Sequence, residues 1–207
     1  MSVLPHLYNR RGSALIRGMS TDSSELTGKL LIAMPGMGDP RFDKSVVYMC
    51  AHSPDGSMGL IVNKPASGVK MDDLLKQLKI EKGPGNRGIR VHYGGPVEHG
   101  RGFVLHSLDY DSNDSTMTVD GQFGMTATLD ILQEMAQGGG PDQRILALGY
   151  SGWGPGQLEA EIQRNGWLTC DATPEIVFAR DNAAKWTAAL ASMGIDPLLL
   201  SSEAGHA

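Results

Sequence analysis

The sequence predicts one α+β domain built on a mostly antiparallel sheet. Short apolar runs that suit strands are interspersed irregularly with short helical patterns, whereas a parallel sheet needs regular strand–helix–strand units with long crossovers. Several neighbouring strands are separated only by turn residues, as in hairpins. Of the 207 residues, 41% are hydrophobic, which is enough for one packed core and excludes a globally disordered chain.

The clearest hairpin signal is Pro54-Asp55-Gly56, which stands between two apolar runs. Proline sets φ for a turn and glycine accepts a positive φ, so the two runs are expected to pair as antiparallel strands. A helix is predicted further on, with Asp72 and Asp73 in its first turn, where they complement the helix dipole. The elements predicted in this part of the chain are strands over 29–34, 45–51 and 57–63 and a helix over 71–80.

Glycine and capping residues mark the element ends in the second half of the chain. Gly94-Gly95-Pro96 predicts a turn between two strands, either a tight hairpin or a turn that brings the backbone close to a ligand, and Gly138-Gly139-Gly140 predicts the end of a helix. Asp181 is expected to cap the last helix and Gly194 to end it. The predicted strands are 90–93, 102–107, 115–119, 145–150, 167–170 and 175–179, and the predicted helices are 129–135, 156–165 and 181–193.

The chain divides into a lead-in, one domain and a short tail. Residues 1–25 are predicted to be a flexible basic lead-in, because residues 1–18 contain three arginines and no acidic residue. Residues 26–200 form the domain and 201–207 the tail. The pair Arg10-Arg11 resembles an export signal, but no apolar core follows it, and no run has the length of a membrane span. We therefore expect a cytoplasmic protein without a membrane partner, translated from Met1 or Met19.

Cysteine and histidine spacing gives no sign of a metal site. Cys50 and Cys170 stand far apart in apolar runs, so two buried reduced thiols are expected. The six histidines include no HxH or HExxH pattern. The sequence thus predicts neither a metal nor another cofactor, and it assigns no residue a catalytic role.

Residues 148–162, LGYSGWGPGQLEAEI, place a glycine-rich turn between a strand and a helix. A dinucleotide-binding loop has glycines spaced GxGxxG, but here they are spaced GxGxG. A hydrolase nucleophile elbow reads GxSxG, but Trp153 takes the place of its final glycine, where the strained turn leaves no room for a side chain. The stretch therefore predicts a strand-to-helix corner, with Pro155 at the first helical position.

The charge of the chain argues against a nucleic-acid surface. There are 18 basic and 23 acidic residues, which give a net charge of -5. Affinity for phosphates comes mainly from clustered lysine and arginine. Direct binding of duplex DNA is therefore not expected.

Three long segments of the sequence resemble the AlgH/YqgE family of bacterial proteins. They are LIAMPGMGDPRFDKSVVYMCAHSPDGSMGLIVNKP (31–65), GGPVEHGRGFVLHS (94–107) and LGYSGWGPGQLEAEIQRNGWL (148–168), and the resemblance covers about residues 26–207. It implies one domain whose bifurcated sheet forms a pseudo-barrel flanked by short helices. Members are often labelled transcriptional regulators, but the family has no established biochemical activity, and this sequence contains no recognisable helix-turn-helix.

The residues that match the family's motifs supply a candidate site. The first hypothesis is a non-enzymatic binding or regulatory protein whose effect on transcription would be indirect. Its partner would be an unidentified protein or small molecule. The candidate binding residues are Asp39, His52, Asn63, Arg101, His106, Trp153, Gln157, Glu159 and Glu161.

Two other functions stay open at this point. A small-molecule enzyme, for instance a hydrolase, would use His52 or His106 as a base with Asp39 or Glu159 as the carboxylate. In that case the histidine and the carboxylate should lie within hydrogen-bond reach in a pocket. A nucleic-acid accessory protein would need a basic stripe on the folded surface.

Overall fold

The computed structural model describes residues 26–84, 88–110 and 115–200. Within these ranges the chain forms a nine-stranded sheet with five α-helices and two short 3-10 helices. The predicted lead-in (1–25) and tail (201–207) lie outside the described residues. The strands are β1 (Lys29–Ala33), β2 (Val46–Ser53), β3 (Gly56–Ile61), β4 (Val91–Tyr93), β5 (Val97–His106), β6 (Thr116–Val119), β7 (Phe123–Thr126), β8 (Arg144–Trp153) and β9 (Trp167–Asp171). The helices are α1 (Met71–Gln77), α2 (Leu129–Gln137), α3 (Gln157–Gln163), α4 (Pro174–Val177) and α5 (Ala184–Ser192), with 3-10 turns at Pro40–Phe42 and Pro197–Leu199.

The sheet is mostly antiparallel, as the sequence predicts. Its strands follow the order β6-β7-β5-β8-β3-β2-β1-β9, and β4 joins by parallel pairing with β8. The other pairs of named strands in the described ranges are antiparallel. The sheet curls into a half-barrel that the short helices cover, which confirms the predicted fold class.

Strand β8 joins the two halves of the sheet and bends at Gly149. Residues 146–148 lie between β4 and β5, and residues 151–153 pair with β3. Gly149 has a φ of 71°, which costs glycine little because it has no Cβ. The bend is the point at which the sheet divides, in agreement with the bifurcation that the resemblance implies.

Gly94-Gly95-Pro96 does not form the predicted hairpin. In the described part of the chain, β4 and β5 do not pair with each other, because both pair with β8. The glycines instead carry the chain across β8, where a Cβ on Gly94 would lie 2.2 Å from the carbonyl oxygen of Gly149. Close backbone contact with a strand distant in sequence, rather than a local turn, requires glycine here.

The predicted hairpin at Pro54-Asp55-Gly56 is confirmed. Ser53 pairs with Gly56 across the ladder, so Pro54 and Asp55 form a two-residue turn between β2 and β3. Gly56 has a φ of 140°, a backbone conformation that glycine adopts readily. The same hairpin brings His52 opposite Ser57.

The predicted strand over 175–179 is wrong, because α4 occupies its first half. The Thr173 side chain accepts a hydrogen bond from Ile176 N–H, and Pro174 stands in the first turn, so both residues favour a helix start. Asp181 Oδ1 accepts hydrogen bonds from Ala183 N–H and Ala184 N–H, as a capping residue would, but α5 begins at Ala184, three residues later than predicted. Strand β7 is absent from the predicted elements.

Three buried clusters fill the space between the sheet and its helices. The largest lies under α4 and α5, the second under α1 and α2, and the third between the sheet and α3. Cys50 is buried and Cys170 is half-buried, and both are free thiols. In the described ranges, no helix is both long enough and apolar enough to cross a membrane. The third cluster contains Trp153 and Trp167, and its outer side forms the candidate site.

Candidate ligand-binding groove

A glycine turn leads from β8 into α3, so the predicted strand-to-helix corner is confirmed. Gly156 has a φ of 71° and precedes the helix, which begins at Gln157. Pro155 therefore lies before the helix, and the prediction that it takes the first helical position is wrong. Gln157 Oε1 accepts a hydrogen bond from Gly154 N–H at 3.1 Å. A backbone donor that a phosphate loop would offer to an anion is thus already used inside the fold.

The carboxylate of Glu161 connects two tryptophan rings. Trp153 Nε1 and Trp167 Nε1 donate hydrogen bonds to the same oxygen, Oε2, at 2.9 and 2.8 Å. Gln157 Nε2 donates to the other oxygen, Oε1, at 3.0 Å. The two tryptophans are only 6% and 2% exposed, and their rings meet edge to face. Because buried indole N–H groups need an acceptor, Glu161 fixes both rings.

A groove of about 580 Å³ opens beside these rings, between the loop after β1 and helix α3. The loop and the helix meet because β1 pairs with β9 and Met34 N–H donates to Gly166 O at 3.0 Å. The volume falls within the range usual for ligand pockets. Apolar lining comes from Met34, Met37, Phe42, Pro96, Trp153 and Leu168, and polar lining from Asp39, Arg41, Gln157, Glu161, Arg164 and Asn165.

Asp39 caps the 3-10 turn after β1 and pairs with Arg41. Its Oδ1 accepts a hydrogen bond from Arg41 N–H at 3.0 Å, and its Oδ2 accepts one from Arg41 Nη2 at 2.6 Å. The Arg41 side-chain hydrogen bonds hold the pKa of Asp39 below its ordinary value. Asp39 is therefore an ionised, paired carboxylate that is poorly suited to take up a proton near neutral pH.

His52 contacts both a carboxylate and a hydroxyl group. Its Nε2 lies 3.4 Å from Glu159 Oε1, and its Nδ1 lies 2.7 Å from Ser57 Oγ. A neutral imidazole protonated at Nε2 would face the carboxylate and accept the Ser57 hydrogen bond at Nδ1. The structure thus brings together one histidine–carboxylate pair named for the hydrolase alternative. The three residues do not line the 580 Å³ groove.

His106 is fully buried between β5 and β7. Its Nδ1 donates to Ser107 O at 2.8 Å, and its Nε2 lies 2.9 Å from Thr126 Oγ1. Burial lowers its pKa, and a Cβ on Gly124 would lie 2.3 Å from its ring. His106 therefore packs and bonds two strands together rather than facing a ligand.

Asn63 and Arg101 lie apart from the groove. Asn63 Oδ1 accepts from Val46 N–H and its Nδ2 donates to Lys44 O, both at 2.8 Å, so both ends of the amide are used within the fold. Arg101 Nη1 lies 3.4 Å from a carboxylate oxygen of Glu98 at the surface. The nine candidate residues do not form one surface. Those that line the groove are Asp39, Trp153, Gln157 and Glu161.

Two arginines of the groove, Arg41 and Arg164, are missing from the candidate set derived from the sequence. They lie far apart in the chain and line the same groove because β1 pairs with β9. The sequence points to these two arginines only through their positions, because each falls inside a segment that carries the family resemblance. Among the described residues, no group of three or more His, Cys, Asp or Glu side chains is placed to hold a metal ion.

Comparison with known sequences identifies close relatives. A family profile described as AlgH-like matches residues 30–198. The chain is 62% identical over 183 residues to a UPF0301 protein of Cereibacter sphaeroides, a match that covers 88% of this chain and 100% of the relative. A UPF0301 protein of Paracoccus denitrificans is 55% identical over 187 residues, with 89% and 98% covered.

Comparison with solved structures gives the same result. The solution structure of the AlgH protein from Pseudomonas aeruginosa matches with a TM-score of 0.71 at 40% identity, over 93% of this chain and 100% of that one. The crystal structure of protein DIP2367 from Corynebacterium diphtheriae matches with a TM-score of 0.65 at 20% identity, over 90% and 92% of the two chains. The second similarity concerns the fold alone.

Proposed function

The chain belongs to the AlgH-like family, and from the geometry of its groove we propose that it is a non-enzymatic binding protein. The groove beside Trp153 is the binding site, and the bound partner carries the regulatory effect. Any influence on transcription passes through that partner, because a chain of net charge -5 is poorly suited to bind duplex DNA.

One observation carries this proposal: the carboxylates of the groove hold its walls in place. Glu161 accepts three hydrogen bonds from Trp153, Trp167 and Gln157. Asp39 is engaged by Arg41 through backbone and side-chain donors. A general acid or base needs a carboxylate that can exchange a proton with a substrate. Glu161 and Asp39 instead hold the groove in a preformed shape. A preformed groove favours binding because few of its side chains lose conformational freedom when a ligand enters.

Filling the groove tests the proposal. Gly38 lines it, and a Cβ added there meets no atom within 4 Å, so Gly38→Trp adds a large ring at the rim of the groove without a clash with the core. Gly100, on β5, is equally free of contacts and lies outside the groove, so Gly100→Trp is the matched control. The probe is anilinonaphthalene sulfonate, an anionic aromatic dye whose fluorescence rises when its rings enter an apolar site.

We expect the dye to bind the unaltered protein and the Gly100→Trp variant equally. Gly38→Trp should weaken binding by about tenfold or more, or about 1.4 kcal/mol. Circular dichroism melting of both variants checks that each is folded. Equal binding by the two variants, or no binding by the unaltered protein, would contradict the proposal.

A hydrolase is the second candidate, and the contacts of His52 favour it. Ser57 Oγ lies 2.7 Å from His52 Nδ1, and Glu159 lies on the other side of the imidazole. Such a serine could attack an ester carbonyl while His52 takes its proton. Against this role, His52 and Ser57 do not line the groove beside Trp153.

A fluorophosphonate probe separates the two functions. A reactive Ser57 would displace fluoride from phosphorus and retain the phosphonyl group, which mass spectrometry of the peptides detects. The binding proposal predicts no adduct at Ser57. An adduct that persists in Ser53→Ala, on the same hairpin, but disappears in Ser57→Ala would favour the hydrolase instead.

A further inference from the structure

A second groove lies beside the first, and a lining residue of one contacts a lining residue of the other. It has a volume of about 420 Å³ and is lined by Lys64, Pro65, Val69, Tyr93, His99 and Leu148, among others. The two grooves meet where Lys64 Nζ donates a hydrogen bond to Arg41 O at 2.7 Å. Each groove has apolar walls, and Lys64 and Arg41 lie where the grooves approach each other, with the carboxylates of Asp39 and Asp43 near Lys64.

Two arginines of the first groove have donors that no acceptor in the described part of the fold uses. Arg164 donates through Nε to Ala160 O at 3.0 Å, and within the described ranges its two terminal nitrogens contact no acceptor. Arg41 binds Asp39 through Nε and Nη2, and its Nη1 has no acceptor among the described residues. The carboxylates of Asp39 and Glu161, in contrast, already accept hydrogen bonds inside the fold. Arg41 and Arg164 are exposed, so a ligand with anionic acceptors can replace the water at these donors.

The combined volume of the two grooves, and their separation into two hollows, favour a peptide as the ligand. Two apolar hollows of about 580 and 420 Å³ together reach the upper end of the range for one small molecule. An extended segment places alternate side chains on the same side, so two apolar side chains could enter the two hollows. With the apolar side chains at positions i and i+4, a carboxylate at i+2 lies on the same side of the segment and would face Arg41 and Lys64.

We infer that the joined grooves bind an extended acidic segment of a partner protein, with two large apolar side chains flanking a carboxylate. This inference rests on the proposed function and names the partner class of the same site. Arg164 contacts a second carboxylate at the α3 end of the groove. Charge complementarity sets the specificity, and the apolar walls supply most of the affinity.

Selection from a phage-displayed library of random peptides tests the inference. The unaltered protein is the bait, and phage that bind the Gly38→Trp variant are removed first. We expect enrichment of sequences with aspartate or glutamate between aromatic or large aliphatic residues. The most enriched peptide is then synthesised, and its Kd is measured by fluorescence anisotropy.

Two charge variants make the measurement specific. Arg164→Gln should weaken peptide binding about fivefold, because a charge-assisted contact is lost, and the remaining binding should depend less on salt. Arg180→Gln removes the same charge from an exposed position outside both grooves and should leave the Kd unchanged. Equal effects of the two variants would overturn the inference.

The outcomes separate the inference from the proposed function. If the dye still distinguishes Gly38→Trp from Gly100→Trp but the selected peptides are basic or uncharged, the acidic-segment inference is wrong and the binding function stands. The acidic-segment inference is also wrong if no peptide is enriched while decanoate, a small apolar carboxylate, competes with the dye. If neither the dye nor any peptide binds, both the proposed binding function and the acidic-segment inference are wrong.

Discussion

Replacement of Glu161 by alanine should lower the free energy of unfolding by roughly 2–6 kcal/mol, because two buried donors lose their acceptor at about 1–3 kcal/mol each. The donors are the indole N–H groups of Trp153 and Trp167, both directed at Glu161 Oε2. At 6% and 2% exposure, the rings cannot turn to water without leaving the core. Urea unfolding followed by tryptophan fluorescence measures the loss.

Two other variants make this prediction specific. Glu161→Gln keeps an oxygen that can accept from the indoles, so its cost should be smaller, roughly 1–2 kcal/mol. Glu159→Ala, two positions earlier on α3, removes a 43% exposed carboxylate whose contact is His52 at 3.4 Å. A surface change of this kind usually costs less than about 1 kcal/mol. If the two alanine variants are equally stable, Glu161 does not hold the groove wall.

Replacement of Lys185 by methionine should remove a pH dependence of stability. Lys185 is fully buried, and its Nζ donates to Val62 O and Val177 O, both at 2.7 Å. Burial, followed by the nearby charge of Arg90, lowers its pKa from 10.5 to about 7. Between about pH 7 and pH 10 the unfolded chain holds the proton and the folded protein releases it. The stability of the unaltered protein therefore gains a contribution that rises with pH over this window, of roughly 4 kcal/mol at most.

Urea unfolding at several pH values between about 6 and 10 tests whether the contribution of Lys185 to stability rises with pH. The difference between the two proteins is the relevant quantity, because burial also raises the pKa of Cys50 to about 12. That thiol lowers stability above about pH 9 in both proteins. The stability of the unaltered protein relative to Lys185→Met should rise with pH.

Lys76→Met, at an exposed position of α1, is the control. Parallel curves for the unaltered protein and Lys185→Met would show that the buried lysine keeps its ordinary pKa.

Local chemistry accounts for the parts of the fold that the sequence predicts correctly. The turn at Pro54-Asp55-Gly56 and the cap at Asp181 depend on residues within a few positions of each other. Gly94-Gly95-Pro96 is misread because its geometry is set by the backbone of β8, about fifty residues further along the chain. Residues 175–179 are misread because their apolar composition suits a strand, whereas Thr173 starts a helix.

The candidate site shows the same difference between features set by neighbouring residues and features set by distant strands. The sequence predicts the importance of the corner around Trp153 and treats Gln157, Glu159 and Glu161 as one polar face of α3. In the structure, Glu161 faces the buried indoles and Glu159 faces His52. Spacing along a short helix cannot separate these roles, because the partners come from other strands. Arg41 joins the groove only through the pairing of β1 with β9.

The three tryptophan indole N–H signals in a nitrogen-15 correlation spectrum give the most direct test of the binding groove. Trp153 lines the groove, and both it and Trp167 donate to Glu161, whereas Trp186 Nε1 donates to Ala33 O in the buried core. Addition of the dye or of the selected peptide should shift the Trp153 signal most and the Trp167 signal less, and should leave Trp186 in place. No shift at saturating ligand, or equal shifts of all three signals, would contradict binding in this groove.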